Sequence, residues 1–312
     1  MRVRLGLRFD PLAGAPGSSE EDARRFRELI DPIVAADRVG LEIAWLTERP
    51  DRSCAALHLA AALAARTTRV RVGVGPIALP LVHPLRLAED AATVDGISGG
   101  RLELALGLGR EPALLARFGI GRAQRRRRFE EGFELLRRAF ADAPLEFSGR
   151  YFEVSAIEVV PKPVQRPTPP LWVAAEAEVA IRRVARLGSG FVARSSAAAQ
   201  RFLAAWQAAG RDPADARIGL ELPLVLAEDA AGLAGAGPVD PRRAAPIACS
   251  PAEASRRLCR ALDPLGACGS LDVVLPAGWP GAPGLVSARA AERLVREVAP
   301  ALAERFPTNP AA

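Results

Sequence analysis

The chain has a single lysine, Lys162, among its 42 basic residues, a single tyrosine, Tyr151, and only two histidines, His58 and His83. Its net charge of +6 is therefore an arginine charge. Aromatic residues make up 5% of the sequence and do not interleave with the arginines, so a stacking platform for single-stranded nucleic acid is excluded. Two histidines leave no material for a His-rich metal centre and little for a Ser-His-Asp triad. The four cysteines, Cys54, Cys249, Cys259 and Cys268, form no CxxC pair and read as idle thiols rather than a zinc site or a disulfide framework. Apolar runs are too short and too interrupted to span a membrane. Met1 is followed by Arg2, Arg4 and a strand-like LGLRF rather than an apolar leader, so no membrane partner and a cytoplasmic location are expected.

What is abundant is a packed-globule composition, 49% hydrophobic over 312 residues, enough for one α/β barrel of ~250 residues with insertions. One domain over 1–312 is the simplest division. Val3 to Phe9 alternates at the strand period, and Ser18 or Ser19 with Glu21 or Asp22 caps a helix that closes at Gly40. Strand Ile43 to Leu46, alanine-rich helix Ala55 to Arg66, and a strand through Val70, Val72 and Val74 follow. Gly75-Pro76 ends that strand, and His83-Pro84 opens a helix with proline where its missing N–H costs nothing. The β and α units alternate to the end of the chain, with strands at Leu102, Leu171 to Ala174, Gly188 to Ala193, Ile218 to Leu226 and Leu271 to Leu275. This order predicts a parallel (β/α)8 TIM barrel. Two departures are expected, an excursion around 145–170 and a mobile loop around 228–248.

The segment from Arg69 to Gly109, RVRVGVGPIALPLVHPLRLAEDAATVDGISGGRLELALGLG, carries the most specific pattern. Its order of strand, LPxxHPxRLAED, D-x-x-S-x-G-R and a strand ending in Gly-x-Gly resembles the bacterial luciferase-like family of flavin- or deazaflavin-dependent oxidoreductases. FSGRYFEV, PKPVQRPTPPLWVAAE and SPAEASRRL extend the resemblance over nearly the whole chain.

In a barrel, chemistry sits just after the strands' C-termini. That rule selects Asp10, Thr47 with Glu48, Gly75 with Pro76, Gly107 to Arg110, Ala175 to Glu178, and Arg194 with Ser195. The resemblance implies that Gly75-Pro76 takes the place of the family's cis peptide against the cofactor ring, and that Glu48 matches the acid of a Glu-His-His turn. Arg49 and Pro50 stand where the two histidines belong, so Glu48 and Arg49 are the candidate catalytic pair. Arginine stays protonated and cannot replace histidine as a proton carrier. It would either hold an anionic substrate or point to solvent.

The resemblance also implies a phosphate cradle after the fifth barrel strand, and there the sequence departs from the family. Glu176-Ala177 and Ala180 stand where hydroxyl side chains are usual, and Glu178 adds a carboxylate. Leu108 replaces an arginine, leaving Arg110 and Arg127 or Arg128 as cations, with Gly107 beside them. FMN or F420 is the implied cofactor, bound weakly or in an altered mode. The function implied is oxidation of a small apolar molecule. The alternative is a family member without redox chemistry, either a non-catalytic partner subunit or a cofactor-independent enzyme. A homodimer through the Ala55-to-Ala65 and Pro84-to-Val94 helices is implied, as is a flavin reductase or a paralogous subunit as partner. His83 is either an intersubunit contact or a cap within the protomer.

Overall fold

The computed structural model describes residues 1–11, 18–48, 56–109, 111–226, 247–277 and 288–307. Arg49, Arg110 and nearly all of the 228–248 loop lie outside them. Eight parallel strands close into a barrel: β1 (Arg2–Phe9), β2 (Ile43–Leu46), β3 (Arg71–Ala78), β4 (Leu102–Gly107), β7 (Leu171–Ala174), β8 (Gly190–Ala193), β9 (Arg217–Glu221) and β12 (Ser270–Pro276), which pairs back onto β1. The helices around it are α1 (Ser19–Val39), α2 (Ala56–Arg66), α3 (Pro84–Ser98), α4 (Pro112–Arg117), α5 (Arg125–Ala139), α6 (Glu178–Leu187), α7 (Ser196–Ala208) and α8 (Pro251–Leu262). Two short helices, α9 (Ala288–Arg293) and α10 (Ala299–Arg305), flank a π-helical turn at Leu294–Val298. The chain is a (β/α)8 TIM barrel.

Local chemistry explains the boundaries. Ser18 and Glu21 form a reciprocal capping box at α1, and Gly40 ends the helix in the left-handed region that favours glycine. His83 caps α3 within the protomer: Leu85 N–H donates to its Nδ1 at 3.3 Å, and its ring meets Phe152 edge-on. The excursion is an antiparallel hairpin, β5 (Leu145–Ser148) and β6 (Glu153–Ile157). Glu131 of α5 anchors its turn by accepting the N–H groups of Arg150, Tyr151 and Phe152.

Two boundaries differ from the sequence reading. Strand β3 does not end at Gly75-Pro76 but continues to Ala78, because a bulge at the proline lets pairing with β4 resume at Ile77. The strand predicted over Ile218 to Leu226 ends in the barrel at Glu221, and Leu224–Leu226 becomes β10, paired in parallel with β11 (Ile247–Cys249). Pro223 lies between the two strands, where a residue without an N–H interrupts a ladder. Helix α5 opens with Arg125 to Arg128 as its first turn.

The family-like D-x-x-S-x-G-R segment is a structural staple at the N-terminal end of the barrel. Arg101 donates to the carbonyls of Ala64, Thr67, Val70 and Ser98 and to Thr67 Oγ1, at 2.7 to 3.0 Å. It thereby ties the C-termini of α2 and α3 to the entry of β3. Asp95 accepts two hydrogen bonds from Gln165 and fixes the proline-rich connector.

Strand alternation sorts the side chains into two layers. Leu5, Leu7 and Phe9, Val72 and Val74, and Leu102, Leu104 and Leu106 face the helices in the main core. The alternate positions face the barrel axis. At the N-terminal end these are charged: Arg4 donates to Glu103 and Asp272, and Arg71 donates to Glu103. Glu103 and Asp272 are fully buried. Burial, with Glu103 nearby, pushes the Asp272 carboxyl up to about 6 despite Arg4. Against the same burial, Arg4 and Arg71 hold Glu103 below the ordinary carboxylate range.

The small residues that suggested an intersubunit contact are used within the protomer. Ala56, Ala60 and Ala64 of α2 and Ala88, Ala91 and Ala92 of α3 are buried, and the two helices pack on each other.

Candidate active site at the barrel mouth

Above the charged layer the barrel axis is filled by two indoles. Trp45 of β2 and Trp172 of β7 meet edge to face, with ring centroids 6.2 Å apart. Glycines on the adjacent strands make room for them: a Cβ on Gly73 or on Gly190 would overlap the Trp45 or the Trp172 ring respectively. Trp172 Nε1 donates downward to Glu103 Oε2 at 2.8 Å, and the Arg217 guanidinium lies 4.9 Å from the Trp172 ring centre. Trp45 Nε1 is buried with no hydrogen-bond partner among the described residues, and so is Thr47 Oγ1 two positions further along the chain.

Over these indoles, at the strands' C-terminal end, lies a small hollow that opens to solvent. Pro76, Ala105, Val192 and Val274 complete its apolar lining, with Gly75 and Gly219. Arg8 and Glu221 form its polar wall, paired at 3.2 Å. The pair continues through Arg194, 3.7 Å from Glu221, to Glu176, which Arg194 also binds. Charge therefore alternates along this rim and cancels.

The Gly75-Pro76 peptide is cis, and the β3–β4 register shifts between Val74 and Ile77. Gly75 has φ +134°, and a Cβ there would run into the Ala105 carbonyl, so only glycine fits. Gly107 ends β4 beside Pro76 without lining the hollow.

The other sequence-selected residues among those described share this end of the barrel, outside the hollow. Glu48 follows β2, and its carboxyl is pushed up by burial, opposed by a hydrogen bond from the Ala56 N–H and by His58. That bond makes Glu48 an acceptor at the start of α2. Glu176 and Ala177 are exposed, with Ala177 at the N-cap of α6, where no side chain caps the first N–H groups. Glu178 pairs with Arg182 and lies 3.8 Å from Arg201. Arg127 is exposed on α5. Its neighbours are engaged: Arg125 donates to the Gly109 carbonyl, and Arg128 to the Pro80 carbonyl while covering the Phe152 ring.

The hollow's own walls, Arg8, Trp45, Trp172 and Glu221, were not selected from the sequence. They sit within the last turn of the strands rather than after it. Their signal was the inward phase of each strand, the positions alternating with its leucines and valines.

The mouth has indole as its floor and the Pro76 bulge beside it, bordered by the Arg8–Glu221 and Arg194–Glu176 pairs. A phosphate does not fit the start of α6. No hydroxyl side chain is present at Ala177 or Ala180, Glu176 and Glu178 stand there, and the adjacent arginines Arg194 and Arg182 are paired to those carboxylates.

Residues 8–234 match the model of the luciferase-like monooxygenase family. The chain belongs to that family. Over 178 residues it is 30% identical to the oxygenase component of the flavin-dependent trigonelline monooxygenase of Acinetobacter baylyi, covering 54% of this chain and 49% of that protein. It is 29% identical over 180 residues to the F420-dependent glucose-6-phosphate dehydrogenase of Amycolatopsis mediterranei, covering 54% of each. The chain thus matches about half the length of these relatives. The oxygenating constituent of 3,6-diketocamphane monooxygenase from Pseudomonas putida, solved with FMN, shares the fold with a TM-score of 0.75. Its identity is 18%, over 96% of this chain and 99% of that one.

Proposed function

We propose that this chain is an oxidoreductase that uses reduced flavin or the deazaflavin F420, held chiefly by its ring, to oxidise a small, neutral, largely apolar molecule. The observation that carries this reading is the mouth itself: two indoles in edge-to-face contact and the Gly75-Pro76 bulge form an apolar floor. The self-neutralising Arg8–Glu221–Arg194–Glu176 rim favours a neutral ligand, since a charged one would have to break a pair. The chain would take its reduced cofactor from a separate flavin reductase and act as one domain in a homodimer. Arg127 and Arg110 are proposed as the cations nearest the cofactor's tail, and Glu48 with Arg49 as groups bordering the reacting edge.

A second reading, a partner subunit without redox chemistry, is favoured by one observation: the carboxylates at the start of α6 oppose a phosphate. Oxygen uptake separates the two. With NADH, a flavin reductase and FMN supplying reduced flavin, the first reading predicts substrate-dependent oxygen consumption and a product heavier by one oxygen atom. Peroxide as the sole product, at a rate the protein does not change, contradicts it. Oxidised F420 offered with candidate alcohols, or reduced F420 with candidate carbonyls, is the parallel assay.

A further inference from the structure

Beneath the hollow, one carboxylate gathers four N–H donors from three strands. Glu103 of β4 accepts from Arg4 Nη1 at 2.8 Å and Nη2 at 3.3 Å, from Arg71 Nε, and from Trp172 Nε1 at 2.8 Å. Three of these bonds stay within the charged layer. The fourth leaves it and holds the indole that floors the site. We infer that Glu103 is a positioning residue for the ligand pocket: it sets the orientation of Trp172, and through Trp172 that of Trp45.

The argument is one of constraint. A Trp side chain in an apolar layer is free to rotate unless packing or a hydrogen bond fixes it. On the β8 side the Trp172 ring packs so closely on Gly190 that a Cβ there would overlap it, which fixes the plane of the ring. The Arg217 guanidinium covers the ring face 4.9 Å from its centre, a contact that sets no direction for Nε1 within the ring plane. The directional constraint is the bond to Glu103. Trp45 has no hydrogen bond of its own among the described residues and lies over another glycine, Gly73. Packing on Gly73 holds its plane, and its edge-on contact with Trp172 couples its position to that ring. Both indoles line the hollow, so a carboxylate outside the pocket lining governs the shape of its floor. A buried, charged acceptor is a costly way to seat a tryptophan in a barrel whose interior is usually packed with branched apolar side chains. Its cost is understandable if the floor must not move.

The inference rests on the hollow being a ring-binding site, and the test separates the two claims. The full chain is labelled with 5-fluorotryptophan, and Trp172→Phe assigns that residue's fluorine resonance. In Glu103→Gln, and in Glu103→Asp, whose carboxylate is withdrawn by one methylene, the Trp172 and Trp45 resonances should shift and broaden while that of Trp206, on α7, stays unchanged. Riboflavin, an isoalloxazine without a phosphate, is then titrated. Trp172→Phe and Glu103→Gln should each weaken its binding about five- to tenfold, and the double variant should be no weaker than either single one, because both remove the same link. If Glu103→Gln does not fold, Trp172→Phe leaves the arginine bonds in place and must by itself move the Trp45 resonance. Unmoved indole resonances, or additive losses in the double variant, overturn the inference. Failure of riboflavin to bind the parent protein counts against the functional reading alone, and the fluorine spectra still decide the positioning.

Discussion

Gly73 and Trp45, paired across β2 and β3, share one volume: the indole occupies the space a Cβ on Gly73 would need. Large and small residues alternate across facing positions of the barrel interior, and the floor of the site depends on that exchange. Gly73→Ala should displace the ring and destabilise the fold by ~1–3 kcal/mol, as overpacking does. Urea unfolding should show a lower midpoint with an unchanged slope. A wild-type midpoint would mean the indole has room to retreat.

Arg101 makes a second testable claim. Its guanidinium serves five acceptors on three elements, a planar pattern that lysine cannot reproduce. Arg101→Lys should cost about 2–4 kcal/mol of stability, because several carbonyls lose their donors together. Ligand affinity, measured where the variant is fully folded, should be unchanged.

Glu48 gives a pH signature. Burial raises its carboxyl above the ordinary range, so the folded protein favours its protonated form and its ionisation costs stability as pH rises through that value. Glu48→Gln, which keeps an acceptor for the Ala56 N–H, should raise Tm at pH 8. The gain should fade as pH falls toward 4, where the wild-type carboxyl is itself protonated. A gain of equal size at both pH values would rule out titration of Glu48 as its source.

Much of this fold is legible in the sequence, because apolar positions at period two and capping signals such as Ser18 with Glu21 act locally. The cis Gly75-Pro76 peptide was legible through the family-like motif around it, whereas the bulge that carries β3 on to Ala78 was not. The pocket walls were harder to read. Arg4, Arg8, Glu103 and Glu221 look like the solvent face of half-buried strands, and only closure of the sheet turns that face into an interior. Trp45 and Trp172 read as core residues, which they are. Their role in the site follows from glycines on other strands, distant in sequence. The D-x-x-S-x-G-R pattern, one part of the family-like segment, holds the barrel together at the end away from the site.

The central claim is that this mouth suits a flavin ring while the start of α6 no longer suits its phosphate. Titration of FMN into the purified protein and into the Ala177→Ser, Ala180→Thr double variant tests it most directly. Each restored hydroxyl offers a charge-assisted hydrogen bond of roughly 1.5–3 kcal/mol, and ~1.4 kcal/mol is a factor of ten in Kd. The Ala177→Ser change would also cap α6, a gain visible as a higher Tm without flavin and so separable from binding. The account predicts a colourless parent protein with weak FMN affinity, and a double variant that binds at least tenfold tighter. A parent protein that purifies with stoichiometric FMN, or a double variant with unchanged Kd, would contradict it.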